Sequence, residues 1–278
     1  MSSSDRKQPG AHMALIPRWI VASIVVAACC GLAVDGGLVG GAKAQTLPTT
    51  LDKEIKYFYR APSTEAVAKI LKDFSKPPYV GNAASYPPLA GFLAAFFSRY
   101  PGSVNAVVTT DVDPRVLWSV AIGLRLAGQA QKAEAVAARM QAAGLKSPEL
   151  DKLPASLGMI RAQTPSDFDL LWGASSATGD SRYCLVILDA FRSYANEGNN
   201  AKVLVAIEKE VEKGPKGDLH WVRQQWGNAK AIELIYMASA LWGLRSNAAQ
   251  HDFVRAAIGQ YIAAHPDEPA ARALVGKV

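Results

Sequence analysis

Apolar residues recur every three to four positions along most of the chain after residue 50, the spacing that places them on one face of an α-helix. Val116, Val120 and Leu124 follow this spacing in one segment, and Ile187 and Phe191 follow it in another. Alternation of apolar and polar residues is rare, and the one candidate strand is 106–110. The pattern predicts an all-α protein.

Capping signals divide this pattern into nine predicted helices. Asp113-Pro114 and Thr164-Pro165 each place a capping side chain before a proline at the first helical position. The segment 231–244 is apolar on nearly all sides, so we expect it to be the central buried helix. The predicted helices span 64–74, 87–99, 114–127, 129–143, 165–177, 181–196, 200–213, 219–246 and 251–264.

Three junctions between these helices share small residues with Gly or Asn, which allow the left-handed backbone that ends a helix. They lie at 126–130, 177–180 and 246–251. The tripeptides 123–125 and 243–245 both read Gly-Leu-Arg and stand before two of these junctions. The arrangement predicts an irregular array of antiparallel helical hairpins, similar to an α-solenoid with degenerate repeats.

The first 44 residues have the order of a secretory signal peptide: a basic start, an apolar stretch over 20–34 and a small-residue cleavage site ending at Ala44. Cleavage after Ala44 would give a periplasmic or secreted protein. Two alternatives remain open. Cleavage before Cys29 would leave a lipid-anchored protein, and an uncleaved segment would act as a membrane anchor. Met13 is an alternative start.

After the signal segment, residues 45–278 are expected to form a single all-helical domain. A small N-terminal helical pair at 51–75 can be distinguished within it, joined to the rest by the Pro- and Tyr-rich loop 76–88. The formal net charge is +6, but basic residues are interspersed with acidic ones rather than clustered. Nucleic-acid binding therefore lacks its usual electrostatic footprint.

Few residues after the signal segment offer redox or metal chemistry. Cys184 is the only cysteine there, on an apolar helical stripe, and is expected to be a packing residue. His220, His251 and His265 are expected to be solvated or capping groups rather than ligands. No motif for a cofactor or metal is present, and we expect neither.

Two pairs of carboxylates could serve acid and base roles if either pair lined a cleft. Asp111 and Asp113 flank one residue in a loop, and Asp167 and Asp169 open a helix. Helix capping is the favoured interpretation of all four. Glu208, with its lysine-rich neighbours, is expected on a solvated helix face.

Aromatic residues are the better candidates for a binding surface. Trp221 and Trp226 bracket Arg223, and Trp and Arg are common at binding hot spots. Filling gaps between helices is the favoured role of the two indoles. In a binding surface, because they are five positions apart, one is expected to pack inward and the other to line a groove. Tyr79 and Tyr86 of the Pro-rich loop could form a recognition strap, or the loop could be a linker.

Four segments carry a resemblance to known sequences: LLWGASSATGD at 170–180, ALWGLRSNAAQH at 240–251, and the earlier segments 57–62 and 88–101. They resemble a family of exported all-helical bacterial proteins that has no assigned activity. It implies an all-helical envelope protein and adds no catalytic residue.

These observations favour a non-enzymatic exported scaffold that binds another envelope protein. One alternative is an envelope hydrolase that uses paired carboxylates. The other is a protein that binds a small apolar ligand or lipid near Trp221 and Trp226. Contact with a membrane is expected only through the signal segment or a lipid anchor.

Overall fold

The computed structural model describes residues 49–77, 79–214 and 217–276, and these ranges contain helices and turns with no strand. The all-α class predicted from the sequence is confirmed. The predicted signal segment and Cys29 lie outside the described residues. The helices are Thr49–Lys56 (α1), Thr64–Phe74 (α2), Tyr86–Arg99 (α3), Val104–Val107 (α4), Leu117–Leu126 (α5), Ala130–Ala142 (α6), Pro165–Thr178 (α7), Ser181–Ala195 (α8), Asn200–Glu212 (α9), His220–Gln250 (α10), Asp252–Ala264 (α11) and Pro269–Leu274 (α12).

All nine predicted helices are present, with ends displaced by at most a few residues. The largest displacement at a start is in α5, which begins at Leu117 because residues 114–116 form a turn. The helix α1, together with α2, corresponds to the N-terminal helical pair predicted at 51–75. The helices α4 and α12 were not predicted, since each is too short to show a helical period. The candidate strand 106–110 is wrong. Val104 and Val107 are buried together on one turn of α4, and the chain then turns.

Two of the three predicted junctions have the expected backbone. Gly128 has φ of 77° and Gly179 has φ of 65°, the left-handed conformation that glycine adopts without a steric penalty. The third junction is wrong, because α10 continues through Asn247 to Gln250. Asn247 is buried and its amide donates to the Gly243 carbonyl at 2.8 Å, while the chain leaves the helix at the extended residue His251.

Among the described residues, α3 and α7 form the most extensive contact between two helices. A Cβ placed on Gly91 would lie 1.8 Å from the Leu170 carbonyl oxygen, and one on Gly173 would lie 1.9 Å from the Pro88 carbonyl oxygen. Position 88 opposes 173 and position 91 opposes 170, so the two helices run antiparallel. Each helix therefore presents a glycine to the backbone of the other.

This crossing makes α3 the most enclosed helix of the described structure. Every residue from Leu89 to Phe97 is buried, with α7 on one side and α5 on another. The segment 231–244 of α10 is largely buried as predicted, but Glu233 is exposed, and Ile232 and Met237 are only partly covered. The central position thus belongs to α3 rather than to α10.

The other helices pack as a series of hairpins around this centre. Contacts join α5 with α6, α7 with α8, α9 with α10, and α10 with α11. One continuous hydrophobic core includes Leu51 of α1 and Val67 of α2 together with residues of every later helix. Among the described residues, no helix is both long and apolar enough to cross a bilayer.

The two Gly-Leu-Arg tripeptides occupy equivalent structural positions. Each glycine admits a close neighbour, since a Cβ on Gly123 would lie 2.8 Å from Leu93 Cβ and one on Gly243 would lie 3.3 Å from Trp172 Nε1. Both leucines are fully buried. Arg125 Nε donates to the Leu150 carbonyl at 3.1 Å, and Arg245 Nε donates to the Leu274 carbonyl at 3.3 Å. In both cases the arginine holds a later, short helical segment against the hairpin.

Charged side chains fix the C-terminal helix α12 from two directions. Glu268 accepts hydrogen bonds from Arg192 at 2.8 and 3.0 Å, from Asn196 at 2.6 Å and from Tyr261 at 2.7 Å. These donors lower the pKa of Glu268 to about 2. On the other side, Arg245 bonds both the Ala273 carbonyl and Glu208.

The prediction of a solvated face at Glu208 is wrong. Only 5% of this residue is exposed, because α9 packs this face against α10 and α12. Burial raises the pKa of Glu208, and the neighbouring Arg245 opposes that shift. The neighbouring lysines in the sequence suggested an exposed face. The cation that pairs with Glu208 is instead Arg245, which lies on α10.

Replacing Gly91 or Gly173 with Ala should destabilise the protein by about 3 kcal/mol, because the new methyl would overlap a backbone carbonyl that cannot move independently. Gly259→Ala in α11 is the control, since a Cβ there meets no atom within 4 Å. It should be neutral or stabilising by about 0.5–1 kcal/mol. Urea unfolding followed by circular dichroism measures all three, and equal effects at Gly91 and Gly259 would contradict the tight crossing.

Candidate functional site

The loop carboxylates Asp111 and Asp113 are each held in local ionic contacts. Asp111 accepts the Thr109 hydroxyl and lies 3.3 Å from Lys72 Nζ. Asp113 accepts the Arg115 backbone N–H and guanidinium at 2.8–2.9 Å. These donors lower the pKa of both carboxyls, so both stay ionised and neither is suited to donate a proton.

The two acids at the start of α7 have different roles. Asp167 accepts the Thr164 backbone N–H and hydroxyl, both at 2.8 Å, while the Thr164 side chain accepts from the Asp167 N–H in a capping box. The capping role of Asp167 is therefore confirmed. Asp169, by contrast, is only 1% exposed and caps nothing, so the capping interpretation of this residue is wrong.

Asp169 is a buried carboxyl whose Oδ2 has no hydrogen-bond partner among the described residues. Burial raises its pKa well above the ordinary value and so favours the protonated form in the folded protein. A spacing of two residues turns a helical side chain by about 200°, so Asp167 and Asp169 point away from each other. Neither candidate carboxylate pair forms an acid and base couple.

His251 is the centre of an aromatic cluster formed with Tyr57, Tyr59 and Phe253. Its ring centroid lies 5.4, 5.8 and 5.5 Å from theirs, and its Nδ1 is 3.3 Å from the Tyr59 hydroxyl. The prediction of a solvated or capping histidine is wrong. His251 occupies the position before α11, but it is 3% exposed and makes no capping bond through its side chain.

The cluster keeps this imidazole neutral. Burial, with the positive charges of Lys56 and Arg60 nearby, lowers the pKa of His251 to about 4. The Arg60 guanidinium lies 4.5 Å from the Tyr57 ring centroid, which places a cation over the ring face. The Tyr59 ring in turn rests against Gly179 at the junction of α7 and α8, so the cluster connects three parts of the fold.

The remaining histidines and Cys184 have structural surroundings. His265 Nδ1 lies 3.1 Å from Glu268, while His220 is exposed at the start of α10. Cys184 is 1% exposed and its thiol donates to the Ser181 carbonyl at 3.0 Å. Burial raises the pKa of this thiol to about 12, so the thiolate needed for reactivity is absent near neutral pH. Within the described residues, no three His, Cys, Asp or Glu side chains converge on a position for a metal ion.

Trp221 and Trp226 contact each other, with ring centroids 5.7 Å apart at an interplanar angle of 60°. Both are partly buried against the core, so the expectation that one packs inward and the other lines a groove is wrong. The long indole side chains meet edge to face despite their different helical directions. Directly after Trp226, Gly227 has φ of 74° and ψ of 166° and kinks α10. Gln224 and Gln225 beside the pair are exposed, and Arg223 is half-buried.

Tyr79 and Tyr86 fix the Pro-rich loop to the core. Tyr79 is 9% exposed and its ring centroid lies 6.1 Å from that of Phe74. The Tyr86 hydroxyl donates to the Val80 carbonyl at 2.5 Å, and its ring lies 6.1 Å from Trp118. Their side chains are engaged in closing the loop, at a different place in the fold from Trp221 and Trp226.

A pocket of about 370 Å³ opens where α3, α5, α7 and α8 meet the turn at 156–158. No pattern in the sequence indicated this pocket, because its lining comes from five segments distant in the chain. The pocket is lined by Ser98, Leu126, Ala127, Gly128, Ser156, Leu157, Gly158, Leu171, Arg182, Tyr183 and Val186.

The aromatic residues within 57–60 could have indicated an aromatic cluster. Its partner His251 could not be identified from the sequence, because it lies almost 200 residues later.

We expect the stabilising effect of His251 to depend on pH between about 6.5 and 4. Unfolding exposes an imidazole that binds a proton below pH 6.5, so this contribution is complete above 6.5 and is lost as the pH falls. The difference in unfolding free energy between wild type and His251→Gln should shrink by up to about 1.4 kcal/mol per pH unit. His220→Gln is the exposed control, and an identical pH dependence in both variants would refute the buried neutral imidazole.

Asp169→Asn should have the opposite pH dependence. The folded protein holds this carboxyl protonated and the unfolded chain releases the proton above its ordinary pKa, so the wild type loses stability as pH rises. The variant should be close to wild type near pH 4 and more stable at pH 7. Asp189→Asn on the exposed face of α8 is the control. Urea unfolding at both pH values measures this difference in stability. A variant that is less stable than wild type at pH 7 would show that the carboxylate has a stabilising partner.

Comparison with family models, with curated proteins and with solved structures finds no match to this chain. The resemblance to exported helical proteins therefore stays a prediction, and function has to be argued from the arrangement of residues.

Proposed function

We propose that this protein is a non-enzymatic helical scaffold of the bacterial envelope that binds another envelope protein. The observation that carries the proposal is the Trp221–Trp226 pair at the start of α10. Two indoles in edge-to-face contact, only partly covered and flanked by Arg223 and exposed glutamines, have the composition of a binding hot spot. Because of the kink at Gly227, the first part of α10, which carries the two tryptophans, is not collinear with the rest of the helix.

The distribution of acidic residues supports binding rather than hydrolysis. A carboxylate mechanism requires one ionised and one protonated acid on either side of a substrate. Asp111, Asp113 and Asp167 are engaged in ion pairs or a cap, and Asp169 is enclosed in the core. In the described part of the chain, neither candidate pair of acids therefore has the arrangement that the hydrolase alternative requires.

Export to the envelope is part of the proposal and depends on residues 1–44, which lie outside the described structure. We propose cleavage after Ala44, with a lipid anchor on Cys29 as the alternative. The intact mass of the protein recovered from the envelope distinguishes the two, because acylation adds mass to a chain that begins at Cys29.

Site-specific photocrosslinking tests the binding surface. A benzoylphenylalanine at Gln224, beside the tryptophans, should give a discrete crosslinked product in intact cells, whereas one at the exposed Gln141 of α6 should not. Trp221→Ala with Trp226→Ala should abolish the product, since truncating hot-spot aromatics costs about 2 kcal/mol or more of binding energy. Mass spectrometry identifies the partner. Crosslinking that persists in the double variant, or that is equal at both positions, would refute this surface.

A further inference from the structure

The pocket between α3, α5, α7 and α8 is separate from the tryptophan surface and has a mixed lining. Leu126, Leu157 and Leu171 form its walls and are at most 4% exposed. Val186 of α8 adds a half-covered apolar side chain. A concave, mainly apolar space with a few polar groups at one side is the usual form of a small-molecule site.

Arg182 is the one charged residue in the lining of the pocket, and its side chain is positively charged. Its Nε and Nη2 contact Asp180 Oδ2 at 2.8 and 2.7 Å, and 78% of its side chain is exposed. A guanidinium carries five N–H donors, so Arg182 can bind a second anion without losing Asp180. Hydroxyl-bearing Ser98, Ser156 and Tyr183 also line the pocket.

Two exposed apolar side chains belong to segments that contribute to the pocket. Met159 and Leu185 are 56% and 38% exposed, and they are adjacent in sequence to the lining residues Gly158 and Val186. They are two of the three large exposed hydrophobic residues in the described part of the chain.

We infer that this pocket binds a single-chain amphiphile with an anionic head group, the chain against Leu126, Leu157 and Leu171 and the head at Arg182. A volume of about 370 Å³ is at the lower end of ligand sites, which suits one acyl chain rather than a two-chain lipid. A cation as the only charged lining residue favours a carboxylate or phosphate head. This site goes beyond the proposed protein-binding function and does not depend on it.

Isothermal titration of the full protein with sodium decanoate, below its micellar concentration, tests the inference. Decanoate should bind with one-to-one stoichiometry, and decyltrimethylammonium, with the same chain and opposite charge, should bind at least tenfold more weakly. Flotation with phosphatidylglycerol vesicles distinguishes binding of a single amphiphile molecule from binding of the protein to a membrane surface. We expect decanoate to bind in the absence of vesicles and the protein not to float.

Variants with matched controls test whether decanoate binds in the pocket. Val186→Trp should fill the space and weaken decanoate binding at least tenfold, whereas Val203→Trp, a half-covered valine on α9, should leave it unchanged. Gly158→Phe is a second filling variant, because a Cβ there meets only Ser156 Oγ at 4.0 Å. It keeps the test valid if Val186→Trp does not fold.

Arg182→Gln tests the head group. It should weaken binding roughly three- to tenfold, as expected for the loss of a partly exposed charge-assisted hydrogen bond. Arg115 has the same local arrangement, with Asp113 two residues before it, but it does not line the pocket, so Arg115→Gln should bind like wild type. Absence of decanoate binding, equal binding of the cation, flotation without decanoate binding, or wild-type affinity in both filling variants would each overturn the inference.

Discussion

The fold depends on the antiparallel crossing of α3 and α7, where Gly91 and Gly173 bring two backbones into contact. Because no side chain separates the helices at these points, α3 is enclosed from Leu89 to Phe97 and the surrounding hairpins pack around it. The crossing also sets where α7 lies along α3. It thereby positions both Asp169 in the core and Leu171 in the wall of the pocket.

Polar groups complete the structure chiefly at the ends of helices. Arg125 and Arg245 each donate hydrogen bonds to carbonyls of a later short segment. Glu268 accepts hydrogen bonds from side chains of α8 and α11. These contacts satisfy backbone and side-chain groups that a stack of hairpins would otherwise leave unpaired. They also explain how α12, with only six residues, keeps its place.

Three buried titratable groups favour their neutral forms. These forms are the protonated acid of Asp169, the unprotonated imidazole of His251 and the thiol of Cys184, in each case mainly because burial disfavours the charged form. Most ion pairs lie nearer the surface, whereas Glu208 is buried beside Arg245. The two candidate binding regions differ in character. The tryptophan pair offers an aromatic surface, and the pocket offers an apolar space next to one arginine.

The sequence by itself determined the all-α class, nine of the helices, the capping box at Thr164 and the glycine junctions at 128 and 179, because helical periodicity and capping are local properties. It also indicated the equivalence of the two Gly-Leu-Arg tripeptides. Tertiary structure alone decided that Asp169 and Glu208 are buried, that His251 sits among tyrosines, and that five distant segments enclose a pocket. Local pattern cannot show these features, since burial and charge pairing depend on which helices meet in the folded protein.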